Sequence, residues 1–371
     1  MKAGWHKKKL GDVLKLEYGK PLDATNRNPN GLYPVYGANG EKDRSDSFFY
    51  DKPSIIVGRK GSAGEVNLTE ERFWPLDVTY YVTFDEKNYD LQFLYYLLLH
   101  LELPNLAKGV KPGINRNEVY SLSVNISSLP EQQRIVAILD EAFEAIAAAR
   151  ANAEQNRQNA RALFESYLQS VFSQRGEGWV IKQVKEISKH SLGKMLDKAK
   201  NKGDLQPYLR NLNVRWFEFN LSDVLQMPFL PEETEKYTAI KGDVLICEGG
   251  YPGRAAIWNE DHPIFFQKAL HRVRFHEPEH NKWFLFYLFS QDRNGELKQH
   301  FNGAGIQHFT GAALAKFHVP VPPLPFLRAA VARFEELQIE TQRLESLYQR
   351  KIAALDELKQ SLLQQAFSGQ L

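Results

Sequence analysis

The stretch LPEQQRIVAILDEAFEAIAAARANAEQNRQNARALFESYLQSVFS, Leu129–Ser173, decides how this chain is organised. Apolar and small residues recur in it at alternating steps of four and three, the period of a helix that packs lengthwise against another helix. No Gly or Pro follows Pro130, and good helix formers dominate. We therefore predict one continuous long helix whose packing seam is Ile135, Leu139, Ala142, Ile146, Ala149, Ala153, Asn156, Ala160, Leu163 and Tyr167.

The same pattern returns in Leu324–Ser368, 195 positions further along the chain. Both stretches open with Leu-Pro and close with Phe-Ser, which favours two paired helices over two helices that cover separate cores. We predict that they lie side by side, antiparallel, and that the equivalent polar positions Asn156 and Lys351 fix their register. The second seam is predicted to be Ala330, Phe334, Leu337, Thr341, Leu344, Tyr348, Lys351, Leu355, Leu358 and Leu362.

The segments that precede the two helices also resemble each other. Trp5 corresponds to Trp179, SIIVG at residues 54–58 to DVLIC at residues 243–247, and FLYYLL at residues 93–98 to FLFYLF at residues 284–289. Such internal repetition predicts a duplicated architecture. We predict an α+β fold with two pseudo-repeated mixed α/β domains, at residues 1–128 and 179–323, separated by two long antiparallel coiled-coil helices at residues 129–173 and 324–368.

Composition restricts the class of protein. The chain has 371 residues, 43% of them hydrophobic, and no apolar run near the ~18 residues that a membrane-spanning helix needs. The N-terminus shows no apolar segment typical of a secretory signal, and the one cysteine, Cys247, is predicted to be a small buried side chain in a reducing compartment. We expect a cytoplasmic protein. The net charge is only +2, so a nucleic-acid surface would require segregated charge.

Catalytic motifs are absent from the sequence. There is no phosphate-binding G-x-x-x-x-G-K-[ST] and no dinucleotide-binding G-x-G-x-x-G. HEPEH at His276–His280 has the letters of a zinc motif, but Pro278 interrupts the helix that such a motif requires. We interpret it as a surface turn, and we predict neither catalytic residues nor metal ligands.

Polar and basic loops suited to a polyanion recur at matching places in both segments. Glycines allow backbone N–H groups to approach phosphates, and Arg, Asn and Gln can hydrogen-bond the edges of G and A. Each residue taken alone is more often a solvated charge or a turn residue, so the prediction depends on the recurrence. The predicted DNA-binding residues are Lys20, Arg27, Asn39, Arg59, Lys60, Ser62, Lys111, Asn115, Arg116, Lys194, Arg210, Asn211, Arg215, Arg254, Lys268, His271, Gln307 and His308, with Lys108, Asn213 and Arg272 as further candidates.

Together these residues resemble a known family. LPEQQRIVAIL at residues 129–139, the terminal LLQQAFSGQL, PYLRNLNV at residues 207–214 and FQKALHRVRF at residues 266–275 are similar to the specificity (S) subunits of type I restriction-modification systems, over nearly the whole chain. The resemblance implies two target recognition domains, each reading one half of a bipartite DNA target. It also implies that the two helices set the spacer between the half-sites.

The resemblance further implies partners. Two modification (methylase) subunits would dock on the helices and a motor/endonuclease subunit would join them, while S-adenosylmethionine and methyl transfer to adenine would belong to the methylase subunits. The docking residues would include Glu131, Gln132, Gln133 and Arg134, which the second helix lacks, so the two docking sites are expected to be unequal. Three other classes remain open: a stand-alone bipartite DNA-binding regulator, an enzyme with an unrecognised site, and a coiled-coil scaffold.

Overall fold

The computed structural model describes residues 4–174, 176–197 and 201–371. The chain divides into two compact units. Unit 1 comprises Met1–Glu154 with Gln349–Leu371, and unit 2 comprises Gln155–Tyr348. Each unit therefore contains one globular region and half of each long helix.

Unit 1 is built from short strands, most of which end at or directly before Gly, Pro or Asp, as β-branched and aromatic runs commonly do. Its strands are β1 (His6–Lys9), β2 (Leu14–Tyr18), β3 (Tyr33–Gly37), β4 (Gly40–Ser45), β5 (Ser54–Gly58), β6 (Val66–Thr69), β7 (Trp74–Pro75), β8 (Thr79–Phe84) and β9 (Ser123–Ile126). Its short helices are α1 (Leu91–His100) and α2 (Arg116–Ser121), and the long helix α3 (Leu129–Ser173) begins in it.

The main sheet of unit 1 has the strand order β2-β8-β5-β6, antiparallel throughout. Every residue of β5 is buried, because helix α1 covers the sheet with Phe93, Leu94, Leu97 and Leu98. Asp90 caps this helix by accepting a hydrogen bond from the backbone N–H of Phe93 at 2.9 Å. A small sheet β4-β3-β7 and the ribbon β1-β9 complete the unit.

Unit 2 contains β10 (Val180–Gln183), β11 (Ser188–Leu192), β12 (Asp204–Leu209), β13 (Leu225–Phe229), β14 (Thr238–Ala239), β15 (Val244–Cys247), β16 (Ala255–Ile257), β17 (Ile264–Phe266), β18 (Leu270–Phe275) and β19 (His318–Val321). Its helices are α4 (Val184–Ile187), α5 (Thr234–Tyr237), α6 (His280–Arg293) and α7 (Gly311–Lys316), and α8 (Leu324–Ser368) begins in it.

The sheets of unit 2 repeat those of unit 1. The order β11-β18-β15-β16 matches β2-β8-β5-β6, the pair β10-β19 matches β1-β9, and β12 lies parallel to β17 as β3 lies parallel to β7. The internal repeat predicted from the sequence is therefore confirmed as a repeat of topology. Unit 2 has the longer connection between the equivalents of β2 and β5, and that connection adds strand β14 to its small sheet.

Helices α3 and α8 have the bounds that the heptad pattern predicts, and they run antiparallel within each unit. In unit 1, Arg150 pairs with Asp356 at 3.2 Å, and Arg134 donates to the carbonyl oxygen of Leu371 at 2.9 Å. In unit 2, Arg161 pairs with Glu345, whose carboxylate accepts from Nε at 2.8 Å. Higher numbers in α3 thus meet lower numbers in α8, as the prediction requires.

The predicted seam is correct at its start and wrong further along α3. Ile135, Leu139, Ile146 and Ala153 are buried, but Leu163 is 70% exposed, and its neighbour Phe164 is buried instead. The spacing from Ala153 to Phe164 is eleven residues, which matches the 3.6-residue turn of a straight helix better than a strict heptad does. In α8 the same drift leaves Leu358 46% exposed and buries Leu363.

Two side-chain predictions have opposite outcomes. Asn156 and Lys351 are exposed and lie outside the seam, so the hypothesis that they fix the register is wrong. Cys247 is buried at the end of β15, as predicted, and burial raises the pKa of its thiol to about 11. In the described ranges, no helix has the length and hydropathy required to span a membrane.

Candidate nucleic-acid interface

The glycine loop of unit 1 is held in place by its own backbone. It connects β5 to β6, and the N–H of Gly58 donates to the carbonyl of Glu65 at 2.8 Å while the N–H of Gly64 donates back to Gly58 at 2.7 Å. Gly64 has a φ of +88°, and a Cβ there would overlap the backbone nitrogen of Pro104. Only glycine fits this position, so the loop has a defined shape.

Two arginines flank one aromatic ring beside this loop. The guanidinium carbon of Arg59 lies 5.4 Å from the ring centre of Tyr18, and that of Arg116 lies 4.9 Å from it. Tyr18 itself is 49% exposed. Arg59 also donates from Nε to the carbonyl oxygen of Asp77 at 3.0 Å, and Arg116 donates to the carbonyl oxygen of Leu16 at 3.4 Å. Both cations are thus positioned by aromatic and backbone contacts.

The charge of this arginine pair is not neutralised locally. Across the described ranges, neither guanidinium forms an ion pair with a carboxylate. Burial, together with the neighbouring Tyr18, raises the pKa of Tyr80 to about 12 even though both arginines oppose the shift, so this hydroxyl stays neutral as well. Two cations held beside one aromatic ring can attract an anion such as a phosphate. We call Tyr18, Arg59 and Arg116 the arginine cluster.

Other predicted residues of unit 1 adjoin this cluster. Lys60 pairs by backbone with Gly113, and the N–H of Ile114 donates to the carbonyl of Arg59 at 3.1 Å, so the loop that carries Lys111 and Asn115 lies along the glycine loop. Lys20 follows β2 directly, and its ammonium lies 5.0 Å from the ring of Phe49. The structure therefore brings together four predicted cations of unit 1, Arg59, Lys60, Lys111 and Arg116, with Ser62 in the glycine loop and Asn115 capping α2. The Lys20 ammonium lies instead against Phe49, whose ring packs on Trp74 and Tyr81.

Two predicted residues of unit 1 lie on the small sheet. Asn39 is exposed in the tight turn between β3 and β4, and the carbonyl of the preceding residue, Ala38, approaches Gly58 so closely that a Cβ there would clash. Asn39 thus lies near the glycine loop. Arg27 is exposed and pairs by backbone with Ser45, away from the loop.

Unit 2 repeats the backbone of the glycine loop. The N–H of Cys247 donates to the backbone carbonyl of Arg254 at 2.8 Å, and the N–H of Gly253 donates to the backbone carbonyl of Cys247 at 2.9 Å. These bonds correspond one for one to those of Gly58 and Gly64. Gly250 and Gly253 have positive φ values of +78° and +84°, matching Gly61 and Gly64 at +83° and +88°.

The side chains on this shared backbone differ. Leu192, Glu248 and Gly311 occupy the positions of Tyr18, Arg59 and Arg116. The assignment of Glu248 rests on backbone bonds, because Phe309 donates to its carbonyl at 2.8 Å as Ile114 donates to that of Arg59. The arginine cluster therefore has no counterpart at the equivalent positions of unit 2.

Several predicted DNA-binding residues of unit 2 point inward, and the prediction for them is corrected. Lys194 is 7% exposed, and its ammonium donates to Glu233 at 2.5 Å and to the carbonyl oxygen of Pro228 at 2.9 Å. His271 is 1% exposed, burial lowers its pKa to about 4, and its Nε2 lies 3.0 Å from the carbonyl oxygen of Phe309. Both side chains are committed to the interior.

Two of the three further candidates are also committed to the interior, whereas the side chain of Lys108 is exposed. Asn213 and Arg272 are buried and bonded to backbone carbonyls, and the ammonium of Lys108 pairs with Glu118 at 2.7 Å.

The remaining residues of unit 2 divide into anchored and open side chains. Arg254 donates to the carbonyl oxygen of Asn211 at 3.0 Å, and the amide of Asn211 donates to the carbonyl of Gly249 at 3.1 Å, so this pair fastens the 211 segment to the glycine loop. Arg210 pairs with Asp223 at 2.7 Å, and Arg215 donates to the carbonyl oxygen of Leu212 at 2.7 Å. The exposed or half-exposed side chains beside the loop are Lys268, Gln307 and His308.

The predicted docking residues do not all face solvent. Gln132 is fully buried: its oxygen accepts from the backbone N–H of Asp90 at 2.9 Å, and its amide donates to the carbonyl oxygens of Ser127 and Asn88 at 2.9 and 3.1 Å. It joins α3 to the globular region, so it is unsuited to binding a partner. Glu131 and Arg134 pair at 2.7 Å, and Gln133 is exposed.

Sequence reasoning missed Tyr18, although it is the aromatic centre of the arginine cluster. Its only signal is a large aromatic side chain at the end of a strand, followed directly by Gly19 and Lys20. The contact between Arg116 and Tyr18 joins residues about 100 positions apart and has no local pattern.

Comparison with known proteins agrees with this architecture. The sequence profile described as the type I restriction modification DNA specificity domain matches residues 2–155 and 176–355. The specificity subunit of the EcoDI type I restriction enzyme of Escherichia coli is 23% identical over 411 positions, covering 99% of this chain and 88% of that protein. The specificity subunit of the EcoprrI enzyme of Escherichia coli is 24% identical over 140 positions, covering 36% of this chain and 35% of that protein.

Two solved structures share the fold. A chain from a structure concerned with complex assembly and conformational transition of a type I restriction-modification system has a TM-score of 0.78 at 18% identity, covering 100% of this chain and 99% of that one. The HsdS subunit from Thermoanaerobacter tengcongensis has a TM-score of 0.62 at 19% identity, covering 100% of this chain and 98% of that one.

Proposed function

Because the chain belongs to the type I restriction-modification DNA specificity family, and is thus a DNA-recognition subunit, we propose that each of its two units reads one half of a bipartite target. The observation that carries this proposal is one loop framework with two sets of side chains. The same backbone bonds present Tyr18 and Arg59 in unit 1, and Leu192 and Glu248 in unit 2. Different side chains on equal frameworks suit two different half-site sequences.

Phosphate and base contacts would have separate roles. The arginine cluster and the exposed Lys60 and Lys111 supply cations that hold the DNA backbone, which fixes position and makes affinity depend on salt. Exposed amide side chains such as Asn39 and Gln307 can hydrogen-bond base edges. The antiparallel helices α3 and α8 would set the number of base pairs between the half-sites.

The chemistry would belong to partner subunits. We propose that this chain is not itself an enzyme, that two modification subunits dock on the helices, and that these subunits hold S-adenosylmethionine and methylate adenine. A motor/endonuclease subunit would join the assembly, and the complex would act in the cytoplasm. Exposed Gln133 at the start of α3 supports a docking surface there, while exposed Arg328, paired with Glu279 at 2.8 Å, takes its place in α8. The two docking surfaces would therefore be chemically unequal.

A segment exchange tests the bipartite proposal. Residues 7–128 are replaced by the corresponding segment of a relative, and methylated adenines are mapped across the host genome by single-molecule sequencing. We expect one half of the target to change while the other half and the spacer are retained. A change in both halves would contradict independent units. Methylation by the isolated chain without partners, or failure to co-purify with a modification subunit, would contradict the assignment of chemistry to partners.

A further inference from the structure

The most exposed large hydrophobic side chains of the described ranges are Val110, at 105%, and Ile306, at 76%. They come from the same loop of the two units: both loops precede the short helix, α2 or α7, and lie beside the glycine loop. Single exposed hydrophobic residues are ordinary on protein surfaces. The recurrence of the two highest exposures in one pair of duplicated loops requires a further explanation.

In unit 1 the loop is a narrow projection. Lys108 and Gly113 exchange two backbone hydrogen bonds, each 3.0 Å, and Gly109 has a φ of +95° that allows the tight reversal. The carbonyl oxygen of Pro112 accepts from the N–H of Gly61 at 2.9 Å, which attaches the projection to the glycine loop. Val110 therefore stands near the tip of a loop that one pair of backbone hydrogen bonds closes.

In unit 2 the loop has the same construction with one more residue. Asn302 and His308 exchange two backbone hydrogen bonds of 2.9 and 2.8 Å, and Gly303 has a φ of +117°. The imidazole of His308 packs against Gly249, so close that a Cβ there would lie 3.0 Å from Nδ1. Ile306 lies in this loop next to Gln307. In both units, then, a braced loop presents one aliphatic side chain beside one cationic or amide side chain.

A hydrophobic tip beside hydrogen-bonding groups has a specific partner in duplex DNA. The major groove admits a two-stranded ribbon, and the C5 methyl of thymine is the apolar group that it displays. Resting on the proposed function, we infer that Val110 and Ile306 enter the major groove and that each packs on a thymine methyl in the half-site of its own unit. Lys111 and Gln307 would contact neighbouring phosphates or base edges.

The experiment removes the methyl groups from the DNA and the side chains from the protein. Once the target is mapped, each thymine of the two half-sites is replaced in turn by deoxyuridine, and binding of the assembled complex is measured for the wild-type chain, Val110→Ala and Ile306→Ala. We expect one thymine in each half-site whose replacement weakens wild-type binding about fourfold, the ratio that corresponds to ~0.8 kcal/mol for one methyl-sized apolar group.

Coupling between the two changes is the decisive readout. Val110→Ala should remove the sensitivity to deoxyuridine in one half-site and leave the other unaffected, and Ile306→Ala should do the reverse. Leu32→Ala is the matched control, because Leu32 is 73% exposed in unit 1 but lies outside this loop. It should leave the sensitivity unchanged. All three variants should melt as the wild-type protein does, since the altered side chains are exposed.

Three results would overturn the inference. One is specific binding that no deoxyuridine weakens. Another is a sensitivity that persists in Val110→Ala and Ile306→Ala, and the third is a half-site without an A·T pair. In each case bipartite binding by the wild-type complex remains and only the thymine contacts are wrong. A wild-type complex that binds no bipartite duplex would overturn the proposed function and this inference together.

Discussion

Removing the arginine cluster should change how DNA binding responds to salt. In Arg59→Ala combined with Arg116→Ala, two cations that form no ion pair with a carboxylate in the described ranges are lost. Each phosphate contact contributes about 0.9 to the slope of log affinity against log salt on duplex DNA. If each guanidinium holds one phosphate, the slope should become shallower by about 1.8.

This slope predicts a measurable ratio. Between 50 and 200 mM salt, the wild-type complex should lose about twelvefold more affinity than the double variant, since a fourfold rise in salt is raised to the power of about 1.8. The assay is fluorescence anisotropy of the assembled complex on a labelled target duplex, over at least five salt concentrations. Affinity should fall by a similar factor for specific and non-specific duplexes, because phosphate contacts carry no base information.

Matched controls separate this effect from a general change of charge. Lys7→Ala with Lys8→Ala removes the same charge from exposed positions of β1 in the same unit and should leave the slope unchanged. Glu248→Ala in unit 2 removes a carboxylate from the position of Arg59 and should not make the slope shallower. An unchanged slope in the arginine variant, or an equal change in the lysine control, would refute the assignment of phosphates to this cluster.

The structure supports three further predictions about stability. Phe164→Ala should lower the free energy of unfolding by about 3–5 kcal/mol and Leu163→Ala by less than about 0.5 kcal/mol, because only Phe164 is buried. Chemical denaturation measures both, and equal losses would favour the predicted heptad seam through Leu163. Burial lowers the pKa of His271 from 6.5 to about 4, so between these pH values the unfolded chain binds more protons than the folded chain. The free energy of unfolding should therefore fall by up to about 3 kcal/mol as the pH drops through this window. The fall should be smaller in His271→Gln, and an equal fall in that variant would exclude His271 as its origin. Gly64→Ala should lower the free energy of unfolding by about 3 kcal/mol, because it combines a left-handed φ with a clash against backbone atoms. Gly61 has a similar φ but open space around it, so Gly61→Ala should lower it by only about 1–2 kcal/mol, and thermal melts compare the two variants.

The framework was predictable from the sequence because its signals are local. SIIVG and DVLIC each contain a continuous apolar run, IIV or VLIC, and these runs lie in the fully buried strands β5 and β15. Leu-Pro at the start and Phe-Ser at the end delimit both long helices at the residues where the structure has them. The repeat then predicted that the two helices pair, because the sequence contains no other segment long enough to cover either heptad face.

The candidate site was predictable only in part, because burial is a tertiary property. Arg59 and Lys60 follow a glycine in an obvious loop, and the structure brings them to one edge with Arg116. Lys194 has the same local signal after β11, yet Glu233 and the carbonyl oxygen of Pro228 hold it inside the small sheet of unit 2. Both Pro228 and Glu233 lie in the longer connection of unit 2, which no pattern at Lys194 reveals.

The division of labour within the glycine loop explains how one fold can serve two half-sites. The bonds that the two loops share are backbone bonds: Gly58 and Gly64 in unit 1, and Cys247 and Gly253 in unit 2, have equivalent N–H and carbonyl partners. Side chains at the intervening positions are therefore not required for these shared bonds. Arg59 can become Glu248 without altering a single one of these bonds. A loop whose geometry is independent of its outward side chains can change its DNA contacts while the domain keeps its stability.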